Sequence, residues 1–162
     1  MSVQLVPVAG ATSANSDDPQ AVVSDFLAAL ADGDAERARE LVDDDILYVN
    51  VGLPAVRGRV EMDRVFDLLS SSGSGFEVYM HAMSADGPVV LTERTDILIF
   101  GNLRMQFWVW GRFDVRNGKI TLWRDSFDFF DIIRGTLRGL ISLAIPSFAP
   151  KPPTSTDTPP GR

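Results

Sequence analysis

Apolar residues recur at helical spacing in the first half of the chain and in long β-rich runs in the second half. The apolar spacing and the capping residues predict three helices: residues 18–33, residues 34–42 and a third helix that begins at Gly58. In the first helix Val22, Phe26 and Leu30 share one face, as a helix that covers a core requires. Residues 46–51 predict a short strand between the second helix and the third.

The second half of the chain is predicted to form a sheet followed by a last helix. The four β-rich runs are residues 76–84, 88–100, 103–115 and 119–128. Asp86-Gly87 and Asn117-Gly118 lie between runs and are strong hairpin signals. Residues 129–145 predict a helix that ends at Pro146. Helices followed by a meander of strands indicate an α+β fold, in which a curved antiparallel or mixed sheet and the helices packed across it form a cone with a deep pocket.

The chain has 162 residues, of which 45% are hydrophobic and 23% charged, as expected for one ordinary folded domain. Residues 1–17 are small, polar and unpatterned, so we expect a flexible arm there. Residues 150–162 are rich in proline and are expected to form a disordered tail. The single domain is therefore expected at residues 18–149.

Charge and cysteine content exclude several classes of function. The chain carries 15 Lys and Arg against 22 Asp and Glu, so we expect no nucleic acid partner, because phosphate binding needs clustered basic residues. Cysteine is absent, which removes thiolate nucleophiles and cysteine-ligated zinc and fits a reducing compartment. The first ten residues lack a secretory pattern, and no apolar run approaches the roughly 20 residues that span a bilayer. We therefore expect a cytoplasmic location.

A charged pair interrupts the apolar run Leu91–Leu98. Because side chains alternate along a strand, Arg94 and Asp96 point to the same face, which Thr92 and Leu98 share. Burying such a pair without further partners would be costly. Taken alone, the run is explained equally well by a surface ion pair on a solvated face.

A second run, Trp123-Arg124-Asp125-Ser126-Phe127-Asp128, favours a buried site. Asp125 shares its face with Trp123 and Phe127, so its carboxylate is predicted to lie on the apolar, inward side and to need a cation, for which Arg94 is the obvious candidate. Arg124 and Asp128 should point outward. Tyr48 and Asn50 form a third polar pair on one strand face, and their side chains can both hydrogen-bond one water molecule.

These three runs, YVN (48–50), LTERTD (91–96) and WRDSFD (123–128), closely resemble in this order the limonene-1,2-epoxide hydrolase family and its actinobacterial members. The resemblance covers about residues 19–134 and includes the G-x-F-x-V run at Gly111–Val115 and the N-G-K-I turn at residues 117–120. It implies the cone-shaped fold shared with nuclear transport factor 2 and ketosteroid isomerase, and a homodimer. The expected activity is hydrolysis of an epoxide to a vicinal diol in one step.

The resemblance also implies a role for each polar residue of the three runs. Asp125 would be the general base, Asp96 the general acid and Arg94 the bridge between them, whereas Tyr48 and Asn50 would hold the attacking water together with Asp125. No cofactor is needed for this reaction. No metal is expected either, because no His/Asp/Glu cluster has ligand spacing. A lipophilic epoxide of the terpene, sterol or fatty-acyl type is expected, and the apolar residues after the last run favour a larger substrate than the family's terpene.

Further residues are expected to bind the substrate or a partner. The substrate pocket is predicted to be lined by Phe127, Trp123, Leu98, His81 and Met80, although a lone strand histidine is more often structural than catalytic. The run Met105–Trp110 is apolar on nearly both faces and supports a dimer. The segment 132–149 is expected to pack over the open end of the cone or against a second subunit, or to contact a membrane surface peripherally. Asp43, Asp44 and Asp45 are expected in a solvated turn.

Two other functions remain open at this point. A proton-transfer enzyme of the ketosteroid isomerase type would need a base and an oxyanion hole, but no arginine between two carboxyl groups. A non-catalytic dimer that binds a small ligand would not need five polar groups in its cavity. An epoxide hydrolase of the α/β-hydrolase type is excluded, because the chain has one histidine, no nucleophile elbow and no alternation of strands and helices.

Overall fold

The computed structural model describes residues 18–149, 151 and 153. The elements in chain order are α1 (Pro19–Asp32), α2 (Ala35–Glu40), β1 (Val42–Asn50), β2 (Val56–Arg57), α3 (Arg59–Ser70), β3 (Ser74–Asp86), β4 (Val89–Phe100), β5 (Leu103–Arg116), β6 (Lys119–Ser126), α4 (Phe129–Ala144) and a 3₁₀ turn at Pro146–Phe148. The α+β class and the order of the four helices and the five longer strands are those that the sequence predicts.

Local capping sets both ends of α1. The Asp18 carboxylate accepts a hydrogen bond from the backbone N–H of Gln20 at 3.1 Å, and Pro19 occupies the first turn. Gly33 ends the helix in the left-handed conformation, at φ +71°. The second helix ends at Glu40, earlier than expected, because the carbonyl of Leu41 accepts from Ile120 and Val42 already pairs with β6.

The six strands form one sheet in the order β2-β1-β6-β5-β4-β3. Neighbouring strands are antiparallel except for β1, which runs parallel to β6, so the sheet is mixed. The pairing register shifts in β1, between Met80 and Ala82 in β3, and between Asp114 and Val115 in β5. Such bulges bend strands and increase their twist, which lets the sheet curve around the helices.

One local prediction is wrong, and one short strand is not predicted. Asp43, Asp44 and Asp45 lie within β1 and not in a turn, in the stretch where the register with β6 is irregular, so an extended backbone leaves Asp44 and Asp45 exposed. The two-residue strand β2 is too short to produce an alternating pattern, and the sequence did not predict it.

The core lies between the helices and one face of the sheet. Phe26 of α1 makes edge-to-face contacts with Phe66, Phe113 and Trp123 at centroid distances of 6.1, 6.4 and 5.1 Å. All four rings are at most 3% exposed. Burying large apolar rings is the main stabilising contribution available to a domain of this size. We call the face that these rings cover the inner face and the opposite one the outer face.

Two glycines allow α4 to approach β5 closely. A Cβ atom at Gly135 would lie 2.5 Å from the carbonyl oxygen of Gln106, and one at Gly139 would lie 2.6 Å from that of Arg104. The Thr136 hydroxyl contacts the Met105 sulfur at 3.3 Å, which places α4 beside the inner face. The other side of the helix exposes large apolar residues: Phe129, Phe130, Ile133, Leu137, Leu140, Ile141 and Leu143. Among the described helices, none is long and apolar enough to cross a membrane.

Candidate active site

The register of the sheet brings polar residues from three strands, and a glycine from a fourth, into one row. Thr92 of β4 lies opposite Gly111 of β5, Gly111 lies opposite Asp125 of β6, and Asp125 lies opposite Asn50 of β1. Residues opposite each other in adjacent strands point to the same face. Arg94 follows Thr92 by two positions and therefore shares this inner face.

The Arg94 guanidinium joins the two predicted carboxylates. Its Nε donates to the Oδ1 and Oδ2 atoms of Asp96 at 2.9 and 3.1 Å, and its Nη2 donates to Asp125 Oδ2 at 2.6 Å. Its Nη1 donates to Thr92 Oγ1 at 3.0 Å. Arg94 is 0% exposed, Asp96 3% and Asp125 4%. One buried cation thus lies between two buried acids. When both acids are ionised, its single positive charge balances only one of the two negative charges.

Burial controls the protonation of this cluster. It raises the pKa of Asp96 from 3.8 to about 6, and the nearby negative charge of Asp125 adds to this, although Arg94 opposes both effects. Burial by itself lowers the pKa of Arg94, but the two carboxylates outweigh it and raise that pKa, so the guanidinium stays charged. Burial, followed by the charge of Asp125, also raises the pKa of Tyr48.

Asp125 presents one oxygen to the site. Its Oδ1 atom is buried and has no hydrogen-bond partner among the described residues, whereas its Oδ2 atom accepts from Arg94. Beside it, Asn50 Nδ2 donates to the Tyr48 hydroxyl at 2.7 Å, which leaves the phenol proton available for another acceptor. The arrangement can bind a small polar molecule between a carboxyl oxygen, a phenol and an amide.

Four of the five residues predicted to bind substrate lie on the inner face. Trp123 is buried and stacks on Tyr48 at 4.1 Å. Phe127 contacts the Phe107 ring at 5.9 Å, and Phe107 lies opposite Asp96. The side chains of Leu98 and Met80 are half-buried, and Met80 lies opposite Arg94.

The prediction for His81 is wrong. Its Nε2 atom is 2.8 Å from Thr95 Oγ1, and its ring stacks on Trp108 at 4.4 Å, both on the outer face. His81 lies at the β3 bulge, where the register with β4 shifts between Met80 and Ala82. The sheet backbone therefore separates the His81 ring from Arg94 and both acids.

Two neighbours of Arg94 were not predicted as site residues. The sequence indicates only that Thr92 shares the face of Arg94 and that Gly111 belongs to the G-x-F-x-V run. A spacing of two residues from a buried arginine was the available signal for Thr92. For Gly111 no local signal exists, because its importance comes from the side chain of another strand.

A cavity of about 770 Å³ opens beside the site, between the ends of α1 and α3 and the start of β3. Its lining includes Leu30, Leu69 and Val78, and Val78 lies opposite Asp96 in the sheet. Arg94, Asp96 and Asp125 are not among its lining residues. In the described part of the chain, no three His, Asp or Glu side chains are grouped as they would be to hold a metal ion.

The family model of the limonene-1,2-epoxide hydrolase catalytic domain matches residues 17–138. The chain belongs to the limonene-1,2-epoxide hydrolase family. As a member of this family it is an epoxide hydrolase, and the resemblance seen in its three sequence runs is confirmed.

Both a curated protein and a solved structure from Mycobacterium tuberculosis are similar to this chain over most of their length. Epoxide hydrolase EphG is 47% identical over 125 residues, which are 77% of this chain and 83% of EphG. The structure of an M. tuberculosis limonene-1,2-epoxide hydrolase-like enzyme matches with a TM-score of 0.79 and 44% identity, covering 83% of this chain and 95% of the other. An NTF2-like protein from Cytophaga hutchinsonii matches with a TM-score of 0.61 at 15% identity, over 76% of this chain and 99% of the other. This last likeness shows the predicted cone-type fold alone.

Proposed function

We propose that this limonene-1,2-epoxide hydrolase family member adds water to a lipophilic epoxide in one step, with Asp125 as general base and Asp96 as general acid. The observation that carries the proposal is the buried Arg94, which contacts both carboxylates and leaves Asp125 Oδ1 without a donor among the residues that the structure describes. Two acids held apart by one cation can carry opposite protonation states, as a reaction that removes one proton and supplies another requires.

The attacking water is held by Tyr48, Asn50 and Asp125. Asp125 Oδ1 removes a proton from this water while its oxygen forms a bond to one carbon of the ring. The bond from that carbon to the ring oxygen breaks in the same step, and the proton of Asp96 passes to the ring oxygen. The product is a vicinal diol. Asp125 is then protonated and Asp96 ionised, so a proton must return to Asp96 before the next turnover.

The environment of each acid suits its role. At neutral pH an aspartic acid of ordinary pKa is almost completely ionised. Because burial raises the pKa of Asp96 to about 6, a fraction of the molecules keeps the proton that the epoxide oxygen needs. Arg94 cannot itself deliver a proton, and its charge-assisted hydrogen bond holds Asp125 through one oxygen only.

Aromatic rings beside the acids support an apolar substrate. Phe107 and Phe127 pack edge to face, and Phe127 packs on Phe129 at 5.4 Å, so the rings form a continuous wall from Asp96 to α4. Such a wall favours an epoxide of the terpene, sterol or fatty-acyl type. Trp123, Leu98 and Met80 complete the proposed substrate contacts. Lipid metabolism or detoxification would both supply epoxides of this kind.

The test is a single-turnover reaction in ¹⁸O-labelled water with one terpene, one sterol and one fatty-acyl epoxide. We expect one label in the diol and none in the protein, because water attacks the ring directly. Label in an enzyme carboxyl group would indicate a covalent intermediate and contradict the mechanism. Conversion of a β,γ-unsaturated ketosteroid, with no diol from any epoxide, would instead favour the proton-transfer alternative. Ligand binding without turnover of either class would favour a non-catalytic module.

We also propose that the chain forms a homodimer through the outer face of the sheet. The apolar side chains of Trp110 and Leu91 lie on that face and are 62% and 52% exposed. Large aromatic side chains are enriched at the centres of protein interfaces.

We propose that a membrane surface covers the exposed side of α4. Phe130, Ile133 and Leu137 are 71%, 56% and 55% exposed on this helix, and Arg134 and Arg138 lie next to them along its surface. An apolar face with basic residues at its margin is typical of helices that lie in the plane of an anionic membrane. Such a contact would bring a lipophilic substrate to the enzyme.

A further inference from the structure

The Arg94 guanidinium occupies the space that a side chain at position 111 would fill. A Cβ atom at position 111 would lie 2.2 Å from Arg94 Nη1, 2.5 Å from Thr92 Oγ1 and 3.0 Å from the Phe113 ring. Gly111 lies opposite Thr92 on one side and opposite Asp125 on the other. The missing side chain therefore opens a slot between Thr92 and Asp125, and the guanidinium fills it.

The backbone of Gly111 does not itself require glycine. Gly111 pairs on both sides within β5 and is not among the glycines with a positive φ. A β-branched or aromatic residue would ordinarily suit such a strand better than glycine does. Space for the Arg94 side chain is therefore the reason that glycine stands here.

Thr92 fixes the one guanidinium nitrogen that the carboxylates leave unpaired. Nε is bound by Asp96 and Nη2 by Asp125, and Thr92 Oγ1 accepts the hydrogen bond from Nη1. Without that acceptor, a buried N–H of Arg94 loses its partner. Arginine readily binds a carboxylate through two nitrogens at once, and Asp125 has a second oxygen beside Nη2. That oxygen, Oδ1, is the atom that the proposed mechanism reserves for water.

We propose that Thr92 and Gly111 are positioning residues, which hold Arg94 on one oxygen of Asp125 and so keep the other oxygen free to act as the base. The inference rests on the proposed function. Gly111 supplies the space and Thr92 supplies the acceptor. Both act through Arg94 and touch neither the epoxide nor the water.

The test compares three variants by steady-state kinetics on an epoxide that the wild type hydrolyses. Thr92→Val keeps the shape of the side chain and removes the acceptor, and its kcat should fall about tenfold with KM little changed. Thr92→Ser restores the hydroxyl and should recover most of the lost rate. Gly111→Ala should lower kcat about 100-fold, because its Cβ displaces the guanidinium. The flexible end of Arg94 can move aside, so we expect the alanine variant to fold.

Two matched controls separate positioning from general damage. Thr95→Val makes the same change at a fully buried position of the same strand on the outer face. Gly75→Ala places a methyl group in β3, where the nearest atom is Ile99 Cδ1 at 3.4 Å. Both controls should keep kcat within about twofold of the wild type, since neither touches Arg94.

A readout independent of activity is the ¹⁵N–¹H spectrum of the Arg94 side chain. We expect its Nε and Nη signals to shift in Thr92→Val and Gly111→Ala and to return in Thr92→Ser. Unchanged signals together with an unchanged kcat in Thr92→Val would overturn the inference. If the wild type hydrolyses no epoxide, the proposed function fails, but the Arg94 spectrum still shows whether these residues position the guanidinium.

Discussion

Replacing Asp96 by asparagine should change how the stability of the protein depends on pH. Burial raises the pKa of this carboxyl from its ordinary 3.8 to about 6, so the folded protein binds the proton more tightly than the unfolded chain. The stability that this group contributes is therefore fully present below pH 3.8 and is lost as the pH rises through about 6. Asparagine does not titrate, so the Asp96→Asn variant should not lose this stability as the pH rises.

The size of the effect follows from the two pKa values. Well above both of them, ionising the buried carboxyl lowers the free energy of unfolding by about 3 kcal/mol. At pH 4.5 about 1 kcal/mol of this is already lost, because the carboxyl of the unfolded chain is mostly ionised there. Between pH 4.5 and 7.5 the wild type should therefore lose about 2 kcal/mol relative to Asp96→Asn.

The measurement is urea unfolding, followed by tryptophan fluorescence, of both proteins across this pH range. Asp44→Asn is the control, because it removes one formal charge from a side chain that is 87% exposed. Its curve should run parallel to that of the wild type. The value of kcat should depend on the same proton. Wild-type kcat on an epoxide should decrease above about pH 6 because Asp96 loses the proton that it donates, and Asp96→Asn should have no measurable kcat at any pH.

Parallel stability curves for the wild type and Asp96→Asn would refute the reasoning. They would mean that Asp96 keeps an ordinary pKa in the folded protein, and that Arg94 compensates fully for its burial. A wild-type kcat that increases above pH 6 would contradict the assignment of Asp96 as the acid, even if the stability curves diverge as expected.

Three further outcomes are expected. Asp125→Asn should lower kcat at least about 1,000-fold while the circular dichroism spectrum stays the same, because the amide cannot take the proton of the water; substantial activity would contradict its role as base. Trp110→Glu should convert a dimer into a monomer in light scattering, and an unchanged mass would disprove an interface on the outer face. The double substitution Ile133→Ser and Leu137→Ser should weaken binding to anionic liposomes. The control is Leu68→Ser, which changes a residue that is 56% exposed on α3 and should leave binding unchanged. Equal binding by the wild type and both variants would exclude α4 as the membrane contact.

The parts of the fold that depend on neighbouring residues were predicted well. The hairpins at Asp86-Gly87 and Asn117-Gly118 and the ends of α1 at Asp18 and Gly33 are confirmed, because turn and cap chemistry acts within a few residues. The alternation of side chains also predicts correctly that Arg94, Asp96, Asp125 and Trp123 are buried on one face. Period-two patterns need no knowledge of the partner strand.

The wrong predictions share a non-local cause. Asp43–Asp45 look like a turn in isolation, but pairing of β1 with β6 extends them. His81 was expected in the pocket, but the bulge after Met80 and the stacking on Trp108 set it on the outer face. The β6 strand is far from Asp43–Asp45 in the chain, and a bulge reverses the alternation on which the prediction for His81 depended.

The sequence by itself determined which chemical groups this protein has and, away from the bulge in β3, which of them share a face of their strand. Only the tertiary structure decided that Thr92, Gly111, Asp125 and Asn50 form one row and that a single guanidinium spans it. Strand order and register depend on contacts between segments far apart in the chain. The free oxygen of Asp125 and the raised pKa of Asp96 arise from burial of that cluster, which no single segment can produce.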